Sequence, residues 1–205
     1  MSGKHPLTTP LIKENPVTLN VLGVCAALAI TNSLTNSLVM SAALTSVLVL
    51  SNASISLVHR LLPSSVRLIV QITVIASAVT VIDQFLKAFL PDAAARLSVY
   101  VALIITNCIV LGRTESFAMN NSPYPSVLDG LGNALGYAVV LVVVAFAREL
   151  FGAGKVLGFT VLPLAKDGGW YVPNGLMMLA PSALFLIGLL IWALRTWKPQ
   201  LQEKD

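Results

Sequence analysis

From Val17 to Val58 the chain runs for 42 residues without an Asp, Glu, Lys or Arg. One bilayer crossing takes about 20 apolar residues. A run twice that long cannot be buried inside a soluble domain of ordinary size. The composition agrees: 56% of the 205 residues are hydrophobic and 11% are charged, against about 25% charged in soluble domains. Too few polar residues remain to cover a water-facing surface. The sequence therefore predicts an all-α integral membrane protein, one membrane domain over 1–205 with no separate soluble catalytic domain. Its 13 basic residues form no run or stripe, so the net charge of +4 does not point to nucleic acid, which takes clustered Lys and Arg.

Six segments are expected. The polar cluster Thr31, Asn32, Ser33, Thr35, Asn36, Ser37 breaks the first run into a short segment, Val17 to Ile30, and a full one, Leu38 to Val58. A third runs from about Val66 to Leu90. A short fourth covers Leu97 to Gly112, a fifth about Leu128 to Phe151 and a sixth about Pro173 to Leu194. Pro181 should kink the sixth. With six crossings and the N-terminus inside, eight basic residues fall inside: Lys4, Lys13, Arg60, Arg67, Arg113, Arg195, Lys198 and Lys204. Five fall outside: Lys87, Arg96, Arg148, Lys155 and Lys166. The excess of positive charge favours both termini in the cytoplasm. Trp192 and Trp197 suit an interfacial belt. Lys4 and Lys13 ahead of Val17 to Ile30 imitate a signal peptide. Pro10, Pro16 and the apolar run resuming at Leu38 argue against cleavage, and no Cys near either end marks lipidation.

The order short, long, long repeats once, over about 17–90 and 97–197. Three segments per half would make the second half enter from the opposite face, as in inverted-topology repeats, whose discontinuous helices meet near the midplane at the functional site. Each short segment holds one of the two cysteines, Cys25 and Cys108. Either could be a buried small hydrophobe. A disulfide would need an oxidising compartment. As ligands, thiolates select iron–sulfur clusters, zinc or copper(I), and an iron–sulfur cluster held by thiolates alone takes four of them. Two cysteines make half a site, with no His nearby: His5 is near the start and His59 at a span end. A metal reading therefore demands a second chain with two more Cys. The small residues Gly23, Ala26, Ala27 and Ala29 around Cys25 permit close helix approach.

Four stretches carry a resemblance: Val21 to Ala29 (VLGVCAALA), Ile104 to Arg113 (IITNCIVLGR), Asp129 to Asn133 (DGLGN) and Gly168 to Gly175 (GGWYVPNG), the last followed by LAPSAL from Leu179. They resemble the D-type membrane subunits of the bacterial sodium-translocating NADH:quinone oxidoreductases, over nearly the whole chain. The ITNC segment is similar to sister subunits and to the related Rnf electron-transport complexes. The resemblance implies one subunit of a six-subunit inner-membrane translocase, NADH:ubiquinone reductase (Na+-transporting), not catalytic alone. It implies electron flow from NADH through FAD and a [2Fe-2S] centre, then through FMN and riboflavin to ubiquinone, all bound by other subunits. It also implies an E-type partner of opposite topology, with Cys25 and Cys108 matching the two ligands that each subunit gives to a shared [2Fe-2S] cluster or mononuclear iron. An Rnf-type complex would exchange ferredoxin and NAD as electron partners. No GxGxxG, HExxH or Ser/His/Asp arrangement is present.

Asp83 is a carboxylate well inside a span, with Lys87 at i+4, the spacing of a helix ion pair. Intramembrane acids point to function. Asp129 opens the fifth span, where a carboxylate suits a helix N-terminus. Both are candidates for a sodium pathway. Arg148 and Glu149 are read as interfacial or as a subunit contact. Gly132-x-x-x-Gly136 is a small-xxx-small packing motif. From the residues alone, two rival classes stand beside redox. One is a small inverted-repeat secondary transporter, in which both Cys would be replaceable and Asp83 would not. The other is a structural scaffold with inert Cys.

Overall fold

The computed structural model describes residues 17, 21–59, 63, 65–89, 101–157, 159–160, 172 and 174–197. The described residues are helical apart from connections and one two-residue β pairing. In chain order the helices are α1 (Val24–Ile30), α2 (Leu34–Val58), α3 (Arg67–Phe89), α4 (Val101–Ile105) and α5 (Cys108–Arg113). A π-helical turn (Thr114–Ala118) and α6 (Pro123–Ala153) follow. Next come the strand pair β1 (Lys155–Val156) and β2 (Phe159–Thr160), then α7 (Gly175–Met178) and α8 (Ala180–Trp197). The strands pair antiparallel, Lys155 opposite Thr160, turning the chain after α6. Among the described residues four helices are long and apolar enough to cross a membrane: α2, α3, α6 and α8. The termini, and with them Lys4, Lys13, Lys198 and Lys204, lie outside the described residues, as do Arg60, Arg96, Lys166 and Gly168 to Trp170.

α2 and α6 form the spine. The buried positions of α2 include Ser37, Met40, Ser41, Leu44, Val47, Leu48 and Ser51, the i, i+3, i+4, i+7 pattern of one helix face. α6 answers with Gly130, Asn133, Gly136, Tyr137, Val140, Leu141 and Val144. Small residues on this seam let the backbones approach, which is the main source of helix association in a bilayer. The two helices run antiparallel. At one end the Glu149 carboxylate accepts from Leu34 N–H at 2.6 Å. At the other, Asn52 Nδ2 donates to the Ser126 carbonyl at 3.1 Å and Ser56 Oγ donates to that of Asn121. α3 packs on α2, α8 packs on α1, and α4 packs on α3. Each short segment thus lies against the third helix of the other half of the chain.

Element boundaries depart from the expected ones in informative ways. α2 starts at Leu34, four residues ahead of the expected Leu38. Ser37, read as part of the break, turns its hydroxyl onto the Ser33 carbonyl at 3.0 Å and so satisfies itself inside the helix. α6 starts at Pro123 rather than Leu128, since proline in a helix's first turn lacks only a donor that has no intrahelical partner anyway. Pro181 does more than kink the last span. Leu179 is extended (φ −77°, ψ 151°), and the helix is interrupted between α7 and α8. Proline cannot donate to, and clashes with, the carbonyl four residues back, so it occupies the first turn of a new helix.

The carbonyls released by that break are claimed by Arg148. Its Nε donates to Met177 O at 3.1 Å, and Nη2 to Met178 O and Leu179 O at 3.0 Å each. Nη1 reaches across to the end of α1, to Thr31 Oγ1 at 2.6 Å and Leu28 O at 3.4 Å. Arg148 is fully buried and Glu149 nearly so. The expectation of an interfacial or intersubunit pair is thus corrected: both close helix ends inside this chain. Arg148 also leaves the count of outside loop charges.

Candidate functional site at the meeting of the two broken segments

Tyr137 lies eleven residues from Ser126 and eleven from Arg148 along α6. At 1.5 Å per residue it stands about 17 Å from each polar end of the spine. The two short segments converge on it. α1 starts there, at Gly23, and ends beside Arg148 through Thr31. α5 also starts there, at Asn107, and ends beside Asp129 through Arg113. The two helices therefore leave one level in opposite directions, and their first turns, which carry the cysteines, face each other.

The contact that joins them is a hydrogen bond from Gly23 N–H to Cys108 Sγ, at 3.0 Å across 85 positions of sequence. Gly23 has φ +80°, and a Cβ there would lie 2.6 Å from Ile109 Cδ1 and 2.9 Å from Tyr137 Cε2. Only glycine takes this backbone at this distance without strain. The Tyr137 hydroxyl donates to Gly23 O at 3.2 Å. On the other segment Asn107 caps α5 by accepting from Ile109 N–H at 2.9 Å. Its amide nitrogen is buried with no hydrogen-bond partner among the described residues. Cys25 is exposed on the molecule's flank and Cys108 half-buried, and both are free thiols.

Sequence reasoning had both cysteines and the broken segments. It missed Tyr137, Asn107 and the role of Gly23. The only available signal was a tyrosine within a small-residue seam, whose hydroxyl needs a partner once buried. Asp83 and Asp129 are not part of this cluster. Asp83 accepts from Lys87 Nζ at 2.6 Å, as its i+4 spacing predicts. Asp129 is buried in the second turn of α6 and takes a two-pronged pair from Arg113, with Nε to Oδ2 at 2.9 Å. Near that end Glu115 accepts from Arg67 and Gln71. The Arg67 guanidinium holds its carboxyl below the usual carboxylate range.

Among the described residues no group of three or more His, Cys, Asp or Glu converges as a metal site. What this chain offers is two soft donors on helix turns that meet at Gly23, with a backbone N–H already directed at one sulfur. That donor set fits thiolate-held iron as half of a ligand set. A family model described as "Rnf-Nqr subunit, membrane protein" matches residues 4–191. The chain belongs to the Rnf-Nqr family. As an Rnf-Nqr protein it is a multi-pass membrane subunit of a multi-subunit electron-transport complex. The matched region takes in both cysteine segments, α2, α3 and α6 whole, and α8 as far as residue 191.

Proposed function

We propose that this chain is the D-type subunit of a redox-driven sodium pump that passes electrons from NADH to ubiquinone. In this reading Cys25 and Cys108 supply two thiolates to an intramembrane iron centre, and an E-type subunit of opposite topology supplies two more. The observation that carries the reading is the Gly23 N–H to Cys108 Sγ contact, which joins the two turns that carry the cysteines, across 85 positions of sequence. An iron–sulfur or mononuclear iron centre held there supplies one-electron transfer. The chain's own residues do the rest. Cys25 and Cys108 bind, and the first turns of α1 and α5 favour negative charge on the sulfurs. The fully buried Ile109, Ile30 and Tyr137 exclude water.

The arrangement is one of two inverted repeats, 17–90 and 97–197, giving six passes with both termini in the cytoplasm of a bacterial inner membrane. Three features support it: α2 runs antiparallel to α6, the short segments lie against each other's third helices, and α1 and α5 diverge from a shared level. Asp83 and Asp129 are the carboxylates of the sodium pathway in this reading. Each now holds a cationic side chain, so uptake exchanges Lys87 or Arg113 for Na+. The flavins, NADH and quinone bind to other subunits.

Iron, acid-labile sulfide and EPR of the reduced complex, prepared without its soluble cluster-bearing subunit, test the proposal against Cys25→Ser and Cys108→Ser. Loss of about two irons and two sulfides in each variant, with loss of quinone reduction, is expected for a shared [2Fe-2S] cluster. Loss of about one iron and no sulfide would mean a mononuclear site. Unchanged metal and activity would sink the redox reading and favour a transporter that depends on Asp83. Reduction by ferredoxin rather than NADH would assign the chain to an Rnf-type complex.

A further inference from the structure

Tyr137 is fully buried at the middle of the spine helix, and its hydroxyl donates to the carbonyl of the residue whose own N–H points at the Cys108 sulfur. We infer that Tyr137 is a positioning residue that sets the reduction potential of the centre, by fixing Gly23 so that its N–H stays on Cys108. The inference rests on the iron-centre reading of Cys25 and Cys108 and deepens it.

The Tyr137 ring is one of two side chains that wall in the Gly23 α-carbon, the other being Ile109. The hydroxyl anchors the Gly23 carbonyl, which also accepts from Ala27 N–H at 3.2 Å to open α1. Carbonyl and α-carbon are thus both held, beside an N–H that points at Cys108 Sγ. Asn107 holds the opposite side by capping the helix that starts with Cys108, and the next residue, Ile109, meets Gly23 beside the Tyr137 ring. Tyr137 therefore stands where the two cysteine turns meet. An N–H donor on a ligand sulfur stabilises the reduced centre more than the oxidised one, because reduction adds a negative charge close to the donor. Loosening that donor lowers the potential.

The experiment uses the assembled membrane complex labelled with 15N-glycine. Pulsed EPR of the reduced wild type reads the hyperfine coupling from a glycine nitrogen at the centre. Among the described residues, Gly23 is the glycine whose N–H meets a cysteine sulfur. Tyr137→Phe keeps the ring and removes only the hydroxyl. It is expected to retain iron, to weaken the 15N coupling and to lower the midpoint potential. The fall corresponds to about a tenfold change in the reduction equilibrium, or about 59 mV for one electron. A residue that merely fills space would leave the potential where it is. No 15N coupling in the wild type, or an unchanged potential and coupling in Tyr137→Phe, overturns the inference. Should Tyr137→Phe fail to assemble, absence of the wild-type coupling still overturns the inference. If the signal survives in Cys25→Ser and Cys108→Ser, the iron-centre reading itself has failed and takes this inference with it. If the signal is lost in those variants but Tyr137→Phe behaves as wild type, only the role of Tyr137 is refuted.

Discussion

At Gly23 a positive φ and two close side chains act on the same backbone atom. Gly23→Ala must adopt a left-handed conformation, costing about 1–2 kcal/mol, and push back Ile109 and Tyr137, costing about 1–3 kcal/mol more. We expect a lower unfolding midpoint in detergent and loss of bound iron, measured on the purified complex. A milder residue effect is expected at Glu115. The Arg67 guanidinium depresses its carboxyl pKa in the folded state, so the pair's contribution is present above the ordinary carboxylate range. It is lost as pH falls through the depressed value. The thermal-stability gap between wild type and Glu115→Gln should therefore be steady near neutral pH and close in acid. A gap that widens in acid would contradict the pairing.

At the scale of elements, Arg148 and Pro181 form one device: the proline frees carbonyls and the guanidinium takes them. Arg148→Ala alone strands the Met178 carbonyl and takes a charged donor from Met177 O, Leu179 O and the α1 end, while Ser182 still donates to Met177 O and Leu179 O, at about 2 kcal/mol or more. In a Pro181→Ala background the helix can recapture part of that set. The cost of Arg148→Ala should then fall by about 1 kcal/mol or more, read from a double-mutant cycle of unfolding midpoints. Additive effects would mean the two residues act separately. This device also marks the limit of what the sequence made legible. Three of the four long helices came within about five residues at their starts, because hydropathy and length alone fix a crossing, whereas α8 starts at Ala180, after the break at Leu179, rather than at Pro173. The break near Thr31 to Ser33 was legible from polar residues interrupting apolar ones, and the fourth segment was legible as short from its 16-residue uncharged run, though not its division at Thr106 and Asn107. The fate of Arg148 was not. A charge late in a span reads as interfacial, and its acceptors are backbone oxygens at 28 and 177–179, which no local pattern reveals. Segment order led to the expectation that the two cysteine segments approach one another, and Gly23 does meet Cys108, whereas the place of Tyr137 requires the depth of α6 relative to both turns.

Across the whole molecule, the flank that carries Cys25 is open in the isolated chain, while Cys108 is half covered. A membrane-permeant maleimide should label Cys25 faster than Cys108 in the isolated subunit, and assembly of the complex should protect both. Equal labelling of Cys25 before and after assembly would place the partner elsewhere. The grip of Arg148 has a further consequence, for biosynthesis. The guanidinium that closes on Thr31 leaves the ribosome 117 residues after it, and the carbonyls of residues 177–179 follow later still. At roughly 5–20 residues per second, the end of α1 waits on the order of ten seconds for its cap. The nascent chain thus enters the bilayer with the end of α1 open, and a helix made much later closes it.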